Sequence, residues 1–241
     1  MKLILALACL ILAGCGTART TPAPKPRLVL WAWDRAEDLR FLKPGEVEVA
    51  AWMRTVVLKK GQQNLFERTL PLYLPPGMRP LEVVRIESDG TVKPTYDDMR
   101  WSVARLGGPG ERTRPPIQID FDARASELDW YRDLLAGLKA DGIDVSITAL
   151  ASWCIDEPWF AAQRSSIGEV VPMLYHMGPH ASAYMRRIHK QGDLAKPCRG
   201  TIGLSTDEIP AWRPPARTIY LFHTKRWTRE AFDDVCARLF R

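Results

Sequence analysis

The stretch IQIDFDA at residues 117–123 decides the fold class of this 241-residue chain. Polar and apolar residues alternate along it, which is the side-chain pattern of a β-strand. Gln118, Asp120 and Asp122 share one face of that strand, and the apolar residues between them share the other. Helices that cover a parallel strand need an apolar surface, so the polar face is expected to point away from them. The stretch therefore predicts a barrel strand whose polar face lines the interior.

Strand-like segments recur along the chain and alternate with helix-like segments. Strands are predicted at residues 27–33, 47–58, 81–87, 117–122, 144–151, 169–175, 201–205 and 218–223. Helices are predicted at residues 34–42, 97–106, 126–140, 157–163, 181–190 and 228–240. Strands separated by helices pair in parallel, because parallel neighbours need crossover connections. Eight such units predict an α/β fold, a small (β/α)8 barrel of the TIM type, with an open flavodoxin-like sheet as the alternative.

Two segments depart from an ideal barrel. Residues 55–58 and 66–74 flank the sequence KGQQ at residues 60–63, which predicts a β-hairpin extension after the second strand. The seventh crossover, at residues 207–215, is too short for more than one turn of helix. The predicted barrel is therefore irregular, and it occupies residues 27–241 as a single domain.

The N-terminal residues have the features of an export signal. A lysine precedes a continuous apolar run at residues 3–12, which is shorter than the about 20 residues that span a bilayer. The run leads into LAGC at residues 12–15, which resembles a bacterial lipobox. This resemblance implies that residues 1–14 are a lipoprotein signal peptide, that the thiol of Cys15 carries a lipid such as palmitate, and that residues 15–26 form a tether. An ordinary secretory signal with a free cysteine is the alternative.

The lipobox predicts a lipid-anchored protein of the cell envelope. Gly16 follows the cysteine where an inner-membrane retention signal would place an aspartate. The expected location is therefore the outer membrane, facing the periplasm, with the membrane contacted through the N-terminal lipid.

Composition and spacing exclude several function classes. The chain has 34 Lys and Arg against 28 Asp and Glu, a net charge of +6, but its basic residues are scattered, so nucleic acid is not an expected partner. No Cys-x-x-Cys occurs and the four histidines are not at ligand spacing, so neither a metal nor another cofactor is expected. The absence of Gly-x-Ser-x-Gly disfavours a serine hydrolase. The sequence does not indicate an oligomeric state.

Three cysteines remain once the signal peptide and Cys15 are set aside. Two of them are expected to pair in an oxidising periplasm. A disulfide between Cys154 and Cys198 is predicted, because each would lie in a loop beside a strand end. Cys236 lies in an amphipathic helix pattern and is expected to be a buried thiol.

Polar side chains of the third and fifth strands are expected to meet those of the fourth inside the barrel. Arg85 and Glu87 alternate with apolar residues on the third strand, as Ser146 and Thr148 do on the fifth. The acidic residues come at the carboxyl ends of their strands, which form the rim where barrel enzymes carry their chemistry. Neighbouring carboxylates there can hold different protonation states. The alternative for Arg85 and Asp120 is a purely structural ion pair.

Aromatic residues are predicted at the same rim. They are Trp33, Trp153, Tyr175 and Trp227, each at or just after the end of a predicted strand. Flat aromatic faces at a barrel mouth suit stacking against the apolar C–H faces of sugar rings. The alternative for each of them is ordinary core packing.

Five segments resemble DUF3142, a family of bacterial lipoproteins whose function is unknown. They are WAWDRAEDLRFL at residues 31–42, VVRIES at 83–88, QIDFDARASE at 118–127, SITALASWC at 146–154 and VPMLYHMG at 171–178. The resemblance covers most of the chain and implies a lipoprotein, but it implies no particular reaction.

A weaker resemblance is to the barrels of glycoside hydrolases related to chitinases. In those barrels the fourth strand ends in Asp-x-Asp-x-Glu and the sixth strand carries Met-x-Tyr. In this chain, DFD at residues 120–122 matches the two aspartates of the first motif, and MLY at residues 173–175 matches the second motif. Trp227 matches a sugar-stacking tryptophan after the last strand. Arg124 occupies the position of the proton-donating glutamate, and an arginine cannot act as a general acid. If this chain hydrolyses glycosides, the acid must be one of Asp122, Glu87 and Glu208.

The first hypothesis is a lipid-anchored, glycoside-hydrolase-like barrel that binds a polysaccharide and, in its stronger form, hydrolyses it. Asp122 would be the general acid, with Asp120 or Glu87 as its electrostatic partner or base. The residues expected to bind the glycan are Trp33, Arg85, Trp153, Tyr175, Glu208 and Trp227. The alternative is a non-catalytic carbohydrate-binding or envelope-assembly lipoprotein, which the arginine at the acid position favours.

Overall fold

The computed structural model describes residues 25–104, 116–156 and 165–240. The predicted signal peptide, the predicted lipidation site Cys15 and the helix predicted at residues 157–163 lie outside these residues. Among the helices of the described ranges, none is both long enough and apolar enough to cross a membrane.

A closed barrel of eight parallel strands forms the centre of the molecule. Eleven strands occur in the described residues: β1 (Arg27–Ala32), β2 (Glu37–Asp38), β3 (Val47–Lys59), β4 (Gln62–Glu67), β5 (Leu72–Tyr73), β6 (Leu81–Ser88), β7 (Ile117–Asp120), β8 (Val145–Leu150), β9 (Glu169–Met173), β10 (Gly200–Ser205) and β11 (Ala216–Phe222). The barrel strands are β1, β3 and β6–β11, and each pairs with the next along the chain. Strand β1 pairs with both β3 and β11 and so closes the barrel. The eight predicted strands are confirmed, and the open-sheet alternative is wrong.

The extension predicted after the second barrel strand is a β-hairpin. Strand β4 pairs antiparallel with the last residues of β3, from Arg54 opposite Glu67 to Lys59 opposite Gln62. Lys60 and Gly61 make the turn with positive φ angles of 52° and 73°. A two-residue turn with positive φ at both positions matches the twist of the paired strands.

The helix predicted at residues 34–42 is not formed. Strand β2 lies here and pairs in parallel with β5 as a small second sheet. The backbone N–H of Glu37 donates to the carbonyl of Pro71, and that of Leu39 donates to Tyr73. Leu39 and Leu42 are buried, and their helix-like spacing of three residues produced the wrong prediction.

Five α-helices lie in the described residues and follow five of the eight barrel strands. They are α1 (Tyr96–Ala104) after β6, α2 (Leu128–Ala140) after β7, α3 (Trp153–Asp156) after β8, α4 (Ala181–Gln191) after β9 and α5 (Arg229–Leu239) after β11. In these parts of the chain no helix follows β1, β3 or β10. The short connection predicted between β10 and β11 is confirmed.

Apolar side chains form two clusters separated by the wall of the barrel. The larger cluster lies between the strands and the helices and contains Ile117, Ile119 and Phe121 of the stretch that predicted the fold. The smaller cluster fills the barrel interior with Val29, Trp31, Ala50, Val83, Val171, Tyr220 and Phe222. The polar face of β7 therefore points into the barrel, as the alternation predicted.

A disulfide joins Cys154 of α3 to Cys198, which lies just before β10, with a Cα–Cα distance of 5.7 Å. This is the pairing expected from the sequence. Cys236 on α5 has a free thiol, as expected, and it is half-buried against the core.

Candidate functional site

The carboxyl ends of the barrel strands surround a cavity of about 400 Å³. Five of the predicted site residues line it: Trp33, Arg85, Asp120, Asp122 and Tyr175. They come from β6, β7 and the segments that follow β1, β7 and β9, so distant parts of the chain meet here. We call this the main cavity.

Asp120, at the end of β7, is buried and held by two donors. Its Oδ2 accepts a hydrogen bond from Nη1 of Arg85 at 2.9 Å, and its Oδ1 accepts one from the hydroxyl of Thr148 at 2.7 Å. Only 6% of the residue is exposed, and a buried carboxylate needs such partners to remain charged. The ion pair with Arg85 that the sequence offered as an alternative is present. Asp120 therefore lines the main cavity with both carboxyl oxygens held by donors of the barrel.

Asp122 has a different environment although it is only two residues away. Its carboxyl accepts no hydrogen bond from any residue that the structure describes. The residue is exposed at the rim, but the surrounding protein partly desolvates its carboxyl group. This desolvation raises the pKa of Asp122, the negative charge of Asp120 raises it further, and the charge of Arg85 opposes the rise. Asp122 is therefore the carboxyl of this rim best suited to donate a proton.

Glu87, on β6, is held by cations. Nζ of Lys59 donates to its Oε2 at 2.9 Å, and Nε of Arg85 lies 3.4 Å from its Oε1. The hydrogen bond from Lys59 is the main cause of a lowered pKa for Glu87. A carboxylate that stays ionised in this way is unsuited to the role of general acid.

A second cavity of about 240 Å³ adjoins the main one. Arg85, Asp120 and Asp122 line both cavities, so the two adjoin each other at the barrel rim. Charged side chains dominate the second cavity, where Lys59, Glu87 and Arg124 join the three shared residues. We call the two adjoining cavities together the rim groove.

Aromatic rings line the main cavity together with these charges, and we call them the aromatic wall. The rings of Tyr175 and Phe222 lie 5.0 Å apart between centroids, and Trp33 is 6.4 Å from Phe222. Tyr184 lines the same cavity from α4. Burial raises the pKa of Tyr175, so its hydroxyl stays protonated and can donate a hydrogen bond. The lining of the main cavity thus combines aromatic rings with acidic side chains.

Two of the predicted sugar-binding tryptophans do not reach the groove. Trp153 and Trp227 are only 8% and 3% exposed and belong to the cluster between strands and helices. The indole N–H of Trp227 donates to the carbonyl of Trp31, and its backbone N–H donates to the buried carboxylate of Glu37. The prediction that these two rings stack on a ligand is wrong, and the packing alternative is correct for both.

Glu208 also lies outside the residues that line the two cavities. Its carboxylate accepts a hydrogen bond from the backbone N–H of His176, 2.9 Å away. His176 has a positive φ of 50°, which is uncommon for a residue with a side chain. Glu208 therefore holds the backbone of a loop whose neighbouring residues line the groove. Its carboxylate is engaged in this hydrogen bond to the backbone N–H of His176.

His223 lines the main cavity and was not among the predicted site residues. Its Nδ1 lies 2.7 Å from the hydroxyl of Thr206, which leaves Nε2 without a hydrogen-bond partner in the described ranges. Burial lowers the pKa of His223 despite the opposing charge of Asp207, so the ring is neutral at neutral pH. Its position just after the last barrel strand was the available signal, because chemistry in such barrels gathers at strand ends.

No protein-family model, curated protein or solved structure matches this chain. Within the described ranges, no group of three or more His, Cys, Asp or Glu side chains is arranged to hold a metal ion.

Proposed function

We propose that this chain is an envelope lipoprotein of the DUF3142 type whose TIM-like (β/α)8 barrel binds a polysaccharide in the rim groove. The observation that carries the proposal is the pairing of an aromatic wall with charged side chains along two adjoining cavities. Sugar rings present apolar C–H faces to aromatic rings and hydroxyl groups to carboxylates and arginines. A groove that extends beyond one cavity suits a polymer better than a single small molecule.

The TIM-like assignment and the anchor rest on different observations. The barrel strands follow chain order and helices follow five of them, which supports the former. The lipobox ending at Cys15 supports the latter. A lipid at this position would hold the barrel to the outer membrane and leave the rim groove open to glycans of the envelope.

The raised pKa of Asp122 favours a second candidate function, the hydrolysis of a glycosidic bond. Asp122 would donate its proton to the leaving oxygen as the C–O bond breaks. Asp120 would stabilise the positive charge that develops on the sugar ring. A water molecule would add to the sugar carbon, and neutral His223 would accept the proton that this water releases. Proton exchange with solvent would then restore both groups.

Binding and hydrolysis are separated by incubating the purified protein with envelope and extracellular polysaccharide fractions. Retention of glycan on the protein measures binding, and new reducing ends measure hydrolysis. We expect Trp33→Ala to lose retention, whereas Trp101→Ala, which removes an exposed tryptophan of α1 away from the groove, should keep it. Loss of reducing ends but not of retention in Asp122→Asn would establish hydrolysis. Absence of retention with every fraction would refute the proposal.

A further inference from the structure

Arg124 differs from the other cationic side chains of the second cavity because those side chains form ion pairs with carboxylates. Lys59 pairs with Glu87, and Arg85 pairs with Asp120. Arg124 lines the same cavity and forms no ion pair with any carboxylate of the described residues. Asp89 is a nearby acidic residue, and the positive charge of Arg124 helps to lower the pKa of Asp89. The oxygens of Asp89, however, accept hydrogen bonds from the backbone of Lys60 and from Thr91.

The backbone beside Arg124 leaves room for its guanidinium group. Gly90 has a φ of 83° and lies so close that a Cβ added to it would be 3.0 Å from Nη1 of Arg124. A residue with a side chain would be strained at this φ and would press on the guanidinium. Gly90 therefore leaves space for the guanidinium group of Arg124, which lines the second cavity.

We propose that the second cavity binds the carboxylate of an acidic sugar, so that the polysaccharide of this groove contains uronic acid or other carboxylate-bearing units. This inference rests on the proposed function and specifies its substrate class. A planar guanidinium donates two parallel hydrogen bonds to a carboxylate, a geometry that neutral sugars cannot match. Asp122 lies at the junction with the main cavity, so a unit bound at Arg124 places its neighbour against the aromatic wall.

The test compares acidic polymers with their own carboxyl-reduced forms, which keep the backbone and lose the charge. The probes are polygalacturonate, polymannuronate, hyaluronan and polysialic acid, each in both forms, titrated against the full chain by calorimetry. At least one acidic polymer should bind about tenfold more tightly than its reduced form, because a hydrogen-bonded charge pair is lost on reduction. Added salt should weaken binding of the acidic form alone.

Variants assign the preference to Arg124. Arg124→Gln should remove the preference for the acidic form over its reduced form, and Arg124→Lys should restore only part of that preference. Arg132→Gln is the matched control, since Arg132 is an exposed arginine of α2 outside both cavities. Equal affinity for both forms, or a preference that survives Arg124→Gln, would overturn the inference and leave the proposed function standing. Absence of binding to either form of every polymer would overturn the inference, and absence of retention with every polysaccharide fraction as well would overturn the proposed function.

Discussion

Replacing Thr148 by valine tests how the barrel interior holds the carboxylate of Asp120. The substitution removes one hydroxyl and changes side-chain volume little, so the cavity it creates is small. It leaves Oδ1 of Asp120 without the donor that now lies 2.7 Å away. Thr148 is fully buried and Asp120 nearly so, which means that water has little access to replace the lost hydrogen bond. Hydrogen bonds to charged groups contribute about 1.5–3 kcal/mol, so we expect the free energy of unfolding to fall by about 2 kcal/mol.

The matched control is Thr201→Val at the opposite end of the same barrel. The hydroxyl of Thr201 donates to Glu169 at 3.1 Å, but Ser146 and Tyr220 also donate to that carboxylate. The side chain of Glu169 is 24% exposed, so water can compensate. The same substitution should therefore cost less there, about 0.5–1 kcal/mol.

Urea unfolding monitored by tryptophan fluorescence measures both variants, with the disulfide intact. A shift of the midpoint at constant m-value gives the change in stability directly. The reasoning would be refuted if Thr148→Val lost no more stability than Thr201→Val. That result would mean that Arg85 alone satisfies the Asp120 carboxylate.

Three further predictions concern stability. Burial raises the pKa of Asp122 in the folded chain, so ionisation of this carboxyl destabilises the fold as the pH rises through that pKa. Asp122→Asn should therefore match the stability of the wild type at low pH and become relatively more stable above about pH 4. Urea titrations repeated across pH measure this difference. An alanine Cβ at position 137 would lie 2.5 Å from the ring of Tyr96, so Gly137→Ala should lower the free energy of unfolding by about 1–3 kcal/mol despite alanine's higher helix propensity, and an unchanged melting temperature would contradict this. Reduction of the Cys154–Cys198 disulfide, which closes a separation of 44 residues, should cost about 4 kcal/mol in the same urea assay, and equal midpoints with and without reductant would show that the crosslink is not stabilising.

Alternation along single segments was enough to predict the barrel strands and their inner face. A period of two is visible within seven residues, so the stretch at 117–123 identified Asp120 and Asp122 as inward-facing without knowledge of the rest of the chain. The same local logic failed at residues 34–42. There, the hydrogen bonds that decide the structure reach Pro71 and Tyr73, and no local pattern shows them.

The tryptophans show a second limit of local patterns. A position just after a strand end predicts proximity to the rim, and it did so correctly for Trp33. It does not predict the direction of the side chain. Trp227 turns away because its indole finds a backbone carbonyl on β1, and His223, four residues earlier, faces the cavity instead. The directions of these two side chains depend on partners far along the chain. The sequence therefore indicated that residues after the last strand lie near the rim, but not which of them faces the cavity.

The closure of the barrel by its first and last strands has a consequence for biosynthesis. Trp31 on β1 contacts Trp227, 196 residues later, and β1 pairs directly with β11. Pairing between segments so far apart in the sequence is slow to form, so the edge of β1 that belongs to β11 has no partner early in folding. During that interval its apolar residues are exposed to other unfolded chains. A holding chaperone that protects the first strand until the last has been made would therefore raise the yield of this protein more than it would for a fold assembled from neighbours in sequence.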